Sequence, residues 1–279
     1  MEKSTDETSL ESSVCNNATF SYKKFMGLRL HEQTVKTLIL GSSHGYYGYR
    51  ADEKLDEFNG AESSQDLYYS YEIYKQFSDA PKLKNVVLFY SVFSPGNILE
   101  LTAEKWRCDF YRLFYGIPYR FTPEKAKENV MKSLAGFIIS EQEKAPVDAH
   151  YTGNCDYSFF MTSFDLNKRV KKHLKSNCRR ENQTEFVRKA ILLAKEKGHN
   201  LYIVIPPHRS DYTNLLSPFE ELFPDLLAIK DDVNILSFLR DPRFYDSDFG
   251  DMDHLNQTGA EKLTAFIREA MNGNNFPHT

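Results

Sequence analysis

Short apolar runs alternate with amphipathic stretches along most of this chain. Thr37–Leu40, Asn85–Tyr90 and Leu201–Ile205 are near-continuous apolar segments, the signature of strands buried on both faces of a parallel sheet. Val233–Phe238 is a less apolar fourth, and Glu57-Phe58 a short fifth. Between them the period lengthens to that of a helix. Leu67, Tyr71, Ile73 and Tyr74 mark one helix within Gln65–Phe77. Val187, Ile191 and Ala194 mark another, opened by a capping box in Asn182-Gln-Thr-Glu185 and closed by Gly198. Leu263, Phe266, Ile267, Ala270 and Met271 mark a last helix, starting at Asn256 or at Thr258, with Glu261 as the N3 partner of Thr258.

Strands alternating with helices predict βαβ units: a three-layer α/β/α sandwich around a mostly parallel, flavodoxin-like sheet. The alternation stops between about 98 and 180. There Thr102–Tyr115 and Pro123–Glu143 read as helical and His150–Phe160 as loop, so the segment is expected to be a helical insertion within a single domain over 21–279. Met1–Phe20 is mostly Ser, Thr, Asn, Glu and Asp and reads as a disordered tail.

Composition narrows the function classes. With 35 basic and 39 acidic residues, a net charge of −4, nothing calls for nucleic acid. No run of about 18 apolar residues predicts a membrane span, and the default expectation is a cytoplasmic protein. The four cysteines form no C-x-x-C pair and suit no zinc module, so free thiols and no cysteine-held metal are expected.

Candidate chemistry lies at two places. Leu40-Gly-Ser-Ser43 follows the first strand, where a tight turn presents a side chain and free backbone N–H groups beyond the carboxyl end of a sheet. Such a turn is also the place for a plain loop or a phosphate-binding module over Gly41–Gly45, but neither G-x-G-x-x-G nor a Walker sequence is present. Asp251-Met-Asp-His254 precedes the last helix; a carboxylate three residues before a histidine in a turn can accept from Nδ1–H and leave Nε2 free as a base. The alternative is an acidic helix N-terminus with His254 merely packed there. Asp253 is expected to face solvent.

Together these segments resemble the SGNH, or GDSL-type, serine hydrolase family over about 35–100 and 181–271. The resemblance makes Ser43 the nucleophile, His254 the base and Asp251 its orienting carboxylate. It implies a serine esterase without cofactor, acting on a small-molecule or glycan acyl ester such as an O-acetyl group on a carbohydrate, or an acyltransferase using the same triad. It leaves open a catalytically inactive glycan-binding relative. The middle blocks depart from the pattern. Gly60, beside Asn59, stands near the oxyanion-hole glycine of the second block, but no G-x-N-D follows the third strand, where Ser91, Ser94 and a later Asn97 are the available donors. In this respect the chain is more similar to polysaccharide-locus and acyl-transfer members than to lipases.

Three further features attach to this frame. His208 and Arg209, past the Leu201–Ile205 strand, are candidates for facing substrate, with Asp211 an equal salt partner for Arg209. His44, next to the serine on an extended segment, is expected to point away and pack at the surface. The ring-rich stretch Trp106–Phe121 reads as the core of the insertion, and the basic run Lys168–Arg180 as a solvated helix face or a site for an anionic glycan or nucleotide-linked donor.

Overall fold

The computed structural model describes residues 5–127, 146–157, 165–179 and 183–273, with the side chains of its first helix from Asn16 onward. Five strands, β1 Thr37–Leu40, β2 Glu57–Asn59, β3 Asn85–Phe89, β4 Asn200–Ile205 and β5 Asn234–Ser237, form an all-parallel sheet in the order β2-β1-β3-β4-β5. That is the flavodoxin-like order of a doubly wound sheet.

Pleating sorts each strand into two cores. Leu38, Leu40, Val86, Leu88, Leu201 and Ile203 face one side, where α3 Leu67–Phe77 and α6 Thr184–Lys197 pack. Ile39, Val87, Phe89, Tyr202 and Val204 face the other, against Leu263 and Ile267 of α7 Gln257–Met271. The expected three layers are therefore present, and both sheet faces are covered. α7 is capped by Asn256, whose side chain accepts from Gly259 N at 3.1 Å. Gly198 ends α6 at φ 71°; the Asn182 side of its expected capping box lies outside the described residues.

The amino-terminal reading needs correction. Residues 1–20 were expected to be a disordered tail, yet α1 runs Thr5–His31. Its polar composition is a weak guide, because Ala18, Ser21, Lys24 and Leu28 lie on one helix face with a body to pack on, and tertiary packing overrides propensity. Lys24 is fully buried. Its ammonium donates to the carbonyls of Asn59 (3.0 Å) and Ala61 and lies 4.4 Å from the Tyr46 ring. Burial pushes its pKa down to about 7, against the opposing pull of Glu62.

In the 98–180 stretch the helix expected over 102–115 narrows to α4 Cys108–Tyr115, preceded by single 3₁₀ turns, and α5 Leu166–Arg179 carries the basic run. Phe110, Tyr111 and Tyr115 are buried, in keeping with rings that serve as core. Residues 128–143 of the second expected helix lie outside the described residues. Cys108, Cys155 and Cys178 are free. No described helix is long and apolar enough to cross a membrane.

Candidate active site

β1 ends at Leu40 and the chain must turn at once. Gly41 adopts φ +126°, and a Cβ there would sit 2.8 Å from the Phe89 carbonyl oxygen and Cβ, so only glycine lets β1 pass β3 this closely. The turn delivers Ser43 as the first residue of α2, Ser43–Gly48, where its N–H has no intrahelical acceptor.

The opposing loop is held from both ends. Phe249 bridges Leu255, Gly250 N donates to His254 O at 2.9 Å, and Asn256 N donates to Asp248 O at 2.9 Å. Within this loop Asp251 folds back on its own backbone: Oδ1 accepts from Asp253 N at 2.9 Å and from His254 N at 2.8 Å. Oδ2 is thereby aimed at His254 Nδ1, 2.9 Å away. His254 Nε2 in turn lies 2.8 Å from Ser43 Oγ. α7 follows directly and packs on α2, which sets the distance between the two halves. Gly259 permits the approach, since a Cβ there would lie 2.1 Å from the Asp248 carbonyl oxygen.

Asp251 and His254 are buried and Ser43 is partly open to a cleft of about 280 Å³. Burial alone would depress the His254 pKa, but Asp253 and Asp251 together hold it above the ordinary histidine value. The ring is thus oriented, basic and in hydrogen-bond contact with the hydroxyl, the geometry required for a base acting on a serine nucleophile.

The other expected site residues divide. Asn97 lines the cleft with Ser43 and His254. Gly60 does not serve as an oxyanion donor here: its N–H donates to Ile39 O at 2.8 Å, extending the β1–β2 ladder by one residue. Asn59 is also withdrawn. Its amide donates to the carbonyls of Gly45 (3.1 Å) and Tyr49 (2.8 Å) and its oxygen accepts from Ala61 N, so it ties α2 to β2. Ser91 is buried against Ser42 Oγ (3.0 Å) and His44 Nδ1 (2.6 Å) and does not reach the cleft. His208 is buried beneath His44, with ring centroids 4.9 Å apart, and desolvation, reinforced by His44, pushes its pKa down to about 3. Arg209 pairs with Asp211 at 2.8 and 2.5 Å and is not a cleft residue.

Two neighbours of the motifs also depart from expectation. Ser43 and His44 are on a helix, not an extended segment, and His44 turns inward to complete burial. Asp253 is 1% exposed and accepts from Arg169 of α5 rather than facing water. The basic run reaches the cleft through Lys172 of α5, and the missed cleft residues are Tyr47, Ser63, Ser64, Phe93 and Arg107. Ser64 sits at φ 62°, a left-handed turn that brings the 63–64 pair to the rim. No motif spacing announces these residues, because long-range packing alone brings them together.

Neither any known protein-family model nor any curated protein matches this chain.

Proposed function

We propose that this protein is a serine esterase of the SGNH type, removing an O-acyl group from a carbohydrate through an acyl-enzyme. The observation that carries this reading is the continuous relay Asp251–His254–Ser43 opening on a cleft. Ser43 Oγ attacks the acyl carbonyl as His254 Nε2 takes its proton. Collapse of the tetrahedral intermediate breaks the ester C–O bond, and His254 returns the proton to the departing sugar oxygen. Water, deprotonated by the same ring, then attacks the acyl-Ser43 ester; the acyl C–Oγ bond breaks, His254 returns the proton to Ser43 Oγ, and the carboxylic acid leaves. The Ser43 N–H and the Asn97 amide are the donors available to the developing oxyanion. The hydroxyls of Ser63, Ser64 and Ser176 and the rings of Tyr47 and Phe93 give the cleft the mixed polar and aromatic lining that suits a sugar. A sugar hydroxyl replacing water in the second step would make the same relay an acyltransferase.

A second reading, an inactive relative that binds an acylated glycan, draws on one observation: the Gly60 N–H is committed to Ile39. One experiment separates the two. A fluorophosphonate probe is expected to form a single adduct on Ser43, located by mass spectrometry and abolished in Ser43→Ala. Labelling that persists in Ser43→Ala would overturn the nucleophile assignment. No labelling, with acyl-glycan binding retained, would favour the binder.

A further inference from the structure

Between Phe249 and Leu255 the loop before α7 carries two buried aspartates, and the relay uses one. Asp253, the more deeply buried, takes the Nε–Nη2 edge of the Arg169 guanidinium, with Nε at 3.1 and 3.2 Å and Nη2 at 2.9 Å. His44 Nε2 lies 3.3 Å from its Oδ2, without the alignment of a hydrogen bond, and His173 Nε2 lies 3.9 Å away. Its Oδ1 is 3.8 Å from His254 Nδ1.

The outer shell fixes which way these rings face. Ser91 Oγ is 2.6 Å from His44 Nδ1, and Tyr212 OH is 2.6 Å from His173 Nδ1. An ionised carboxylate only accepts, so the nitrogens that face Asp253 carry the ring protons and each hydroxyl donates to Nδ1. Burial keeps His44 and His173 below the ordinary histidine pKa and hence neutral. Burial would also raise the Asp253 pKa, but His254, His44 and Arg169 hold it well below the usual carboxylate range. The relay base therefore faces a second ionised carboxylate with a cation clamped behind it.

His44, Asp253 and His254 bring ligand atoms within 4.8 Å of one another. They do not make a metal site: both ring nitrogens of His254 are engaged, by Asp251 and Ser43, and Asp253 holds the guanidinium, which leaves His44 Nε2 as the one uncommitted ligand atom of these three residues.

We propose that Asp253 and Arg169 are opposed positioning residues that set the basicity of His254, the carboxylate stabilising its imidazolium and the guanidinium of α5 limiting that effect. This rests on the reading of His254 as the base. The groups that face the ring are Asp251 and Asp253 from its own loop, Ser43, His44 and Tyr47 from α2, Arg169 and His173 from α5, and His208 from the turn after β4; Glu104, Arg107 and Lys172 stand across the cleft.

The test is a titration of the full chain with ¹³C-labelled histidine, followed by NMR, with the His254 signal assigned by its loss in His254→Gln. Asp253→Asn is expected to move the His254 midpoint to lower pH and Arg169→Gln to higher pH, with the double variant between them. Disruption of a purely structural ion pair would move both the same way, so shifts of one sign, or none, overturn the proposal. Arg169→Lys, which keeps the charge, is expected to titrate like the wild type; a shift matching Arg169→Gln also overturns it. The readout needs no turnover. Opposite shifts in a protein that fluorophosphonate fails to label would sink the esterase reading and leave this one standing. Where ester turnover is measurable, the acid limb of kcat/KM is expected to follow the NMR midpoints in the same directions.

Discussion

The two walls of the cleft are built in different ways. On one side, Asp251, His254 and Ser43 come from two short local motifs, each aimed by its own backbone: an aspartate folded onto the next two N–H groups, and a serine at the first turn of a helix after Gly41. On the other side, Ser63, Ser64, Asn97, Arg107 and Lys172 come from four stretches with no common spacing, brought together by α5 and the 3₁₀ turns after β3. The first wall holds the chemistry in a few fixed contacts. The second would surround a substrate and follows no motif, with Arg107 held by Glu104 of the same wall. A function of this kind is therefore more legible as a reaction than as a substrate.

Substitutions can test that division. Ser43→Ala or His254→Ala is expected to lower kcat on an activated acetyl ester by about 10⁶, and Asp251→Asn by about 10⁴; losses below tenfold would mean that the first wall is not catalytic. On the second wall, Asn97→Ala is expected to lower kcat by about 10²–10³ if its amide reaches the oxyanion. Asn59→Ala, one strand away, should instead reduce stability by about 1–3 kcal/mol in urea denaturation, because it strands buried carbonyls on α2, with kcat of the folded fraction little changed. Gly259→Ala links the two kinds of effect. The added methyl meets the Asp248 carbonyl, so it should cost about 1–3 kcal/mol and lower kcat by displacing the His254 loop. The acid limb of kcat/KM should fall at a pH above about 6.5, the unperturbed histidine value. The pKa of His254 is raised, and only its neutral form accepts the serine proton, so activity is lost as pH falls through the raised value. A limb below that value would point to a different base. The smallest effect is expected from Lys172→Ala: a KM rise of about two- to fivefold for an anionic ester, erased by salt, and none for a neutral one.

Much of the fold follows from strand runs and helix periods, since each records a local choice between two burial patterns. β2 and β5 are short or partly polar and read less clearly, yet both take their expected places. The relay was legible for the same reason, as two motifs with the right residues at the right separation. The failures share a different cause. Gly60 stands near the family position, but its N–H is taken by the ladder, a fact set by the register of β1 against β2. His208 follows a strand end, as a site residue should, yet its turn tucks it beneath His44. Asp253 reads as a surface charge until Arg169, 84 residues earlier, is brought to it. The polar α1 reads as a tail because composition does not show which face meets the sheet. Partners distant in sequence decided each of these outcomes.

The N-terminal helix also carries an optical consequence. The chain has one tryptophan, Trp106. It belongs to the small cluster that joins Ala18 and Tyr22 of α1 to Phe110 of α4, and the Arg107 guanidinium, a cleft residue, lies 4.4 Å from its ring. The indole therefore sits between the docked helix and the substrate wall. Its emission should redden when α1 lifts away and change in intensity when a ligand draws Arg107 aside, giving the unlabelled protein a built-in reporter of both events.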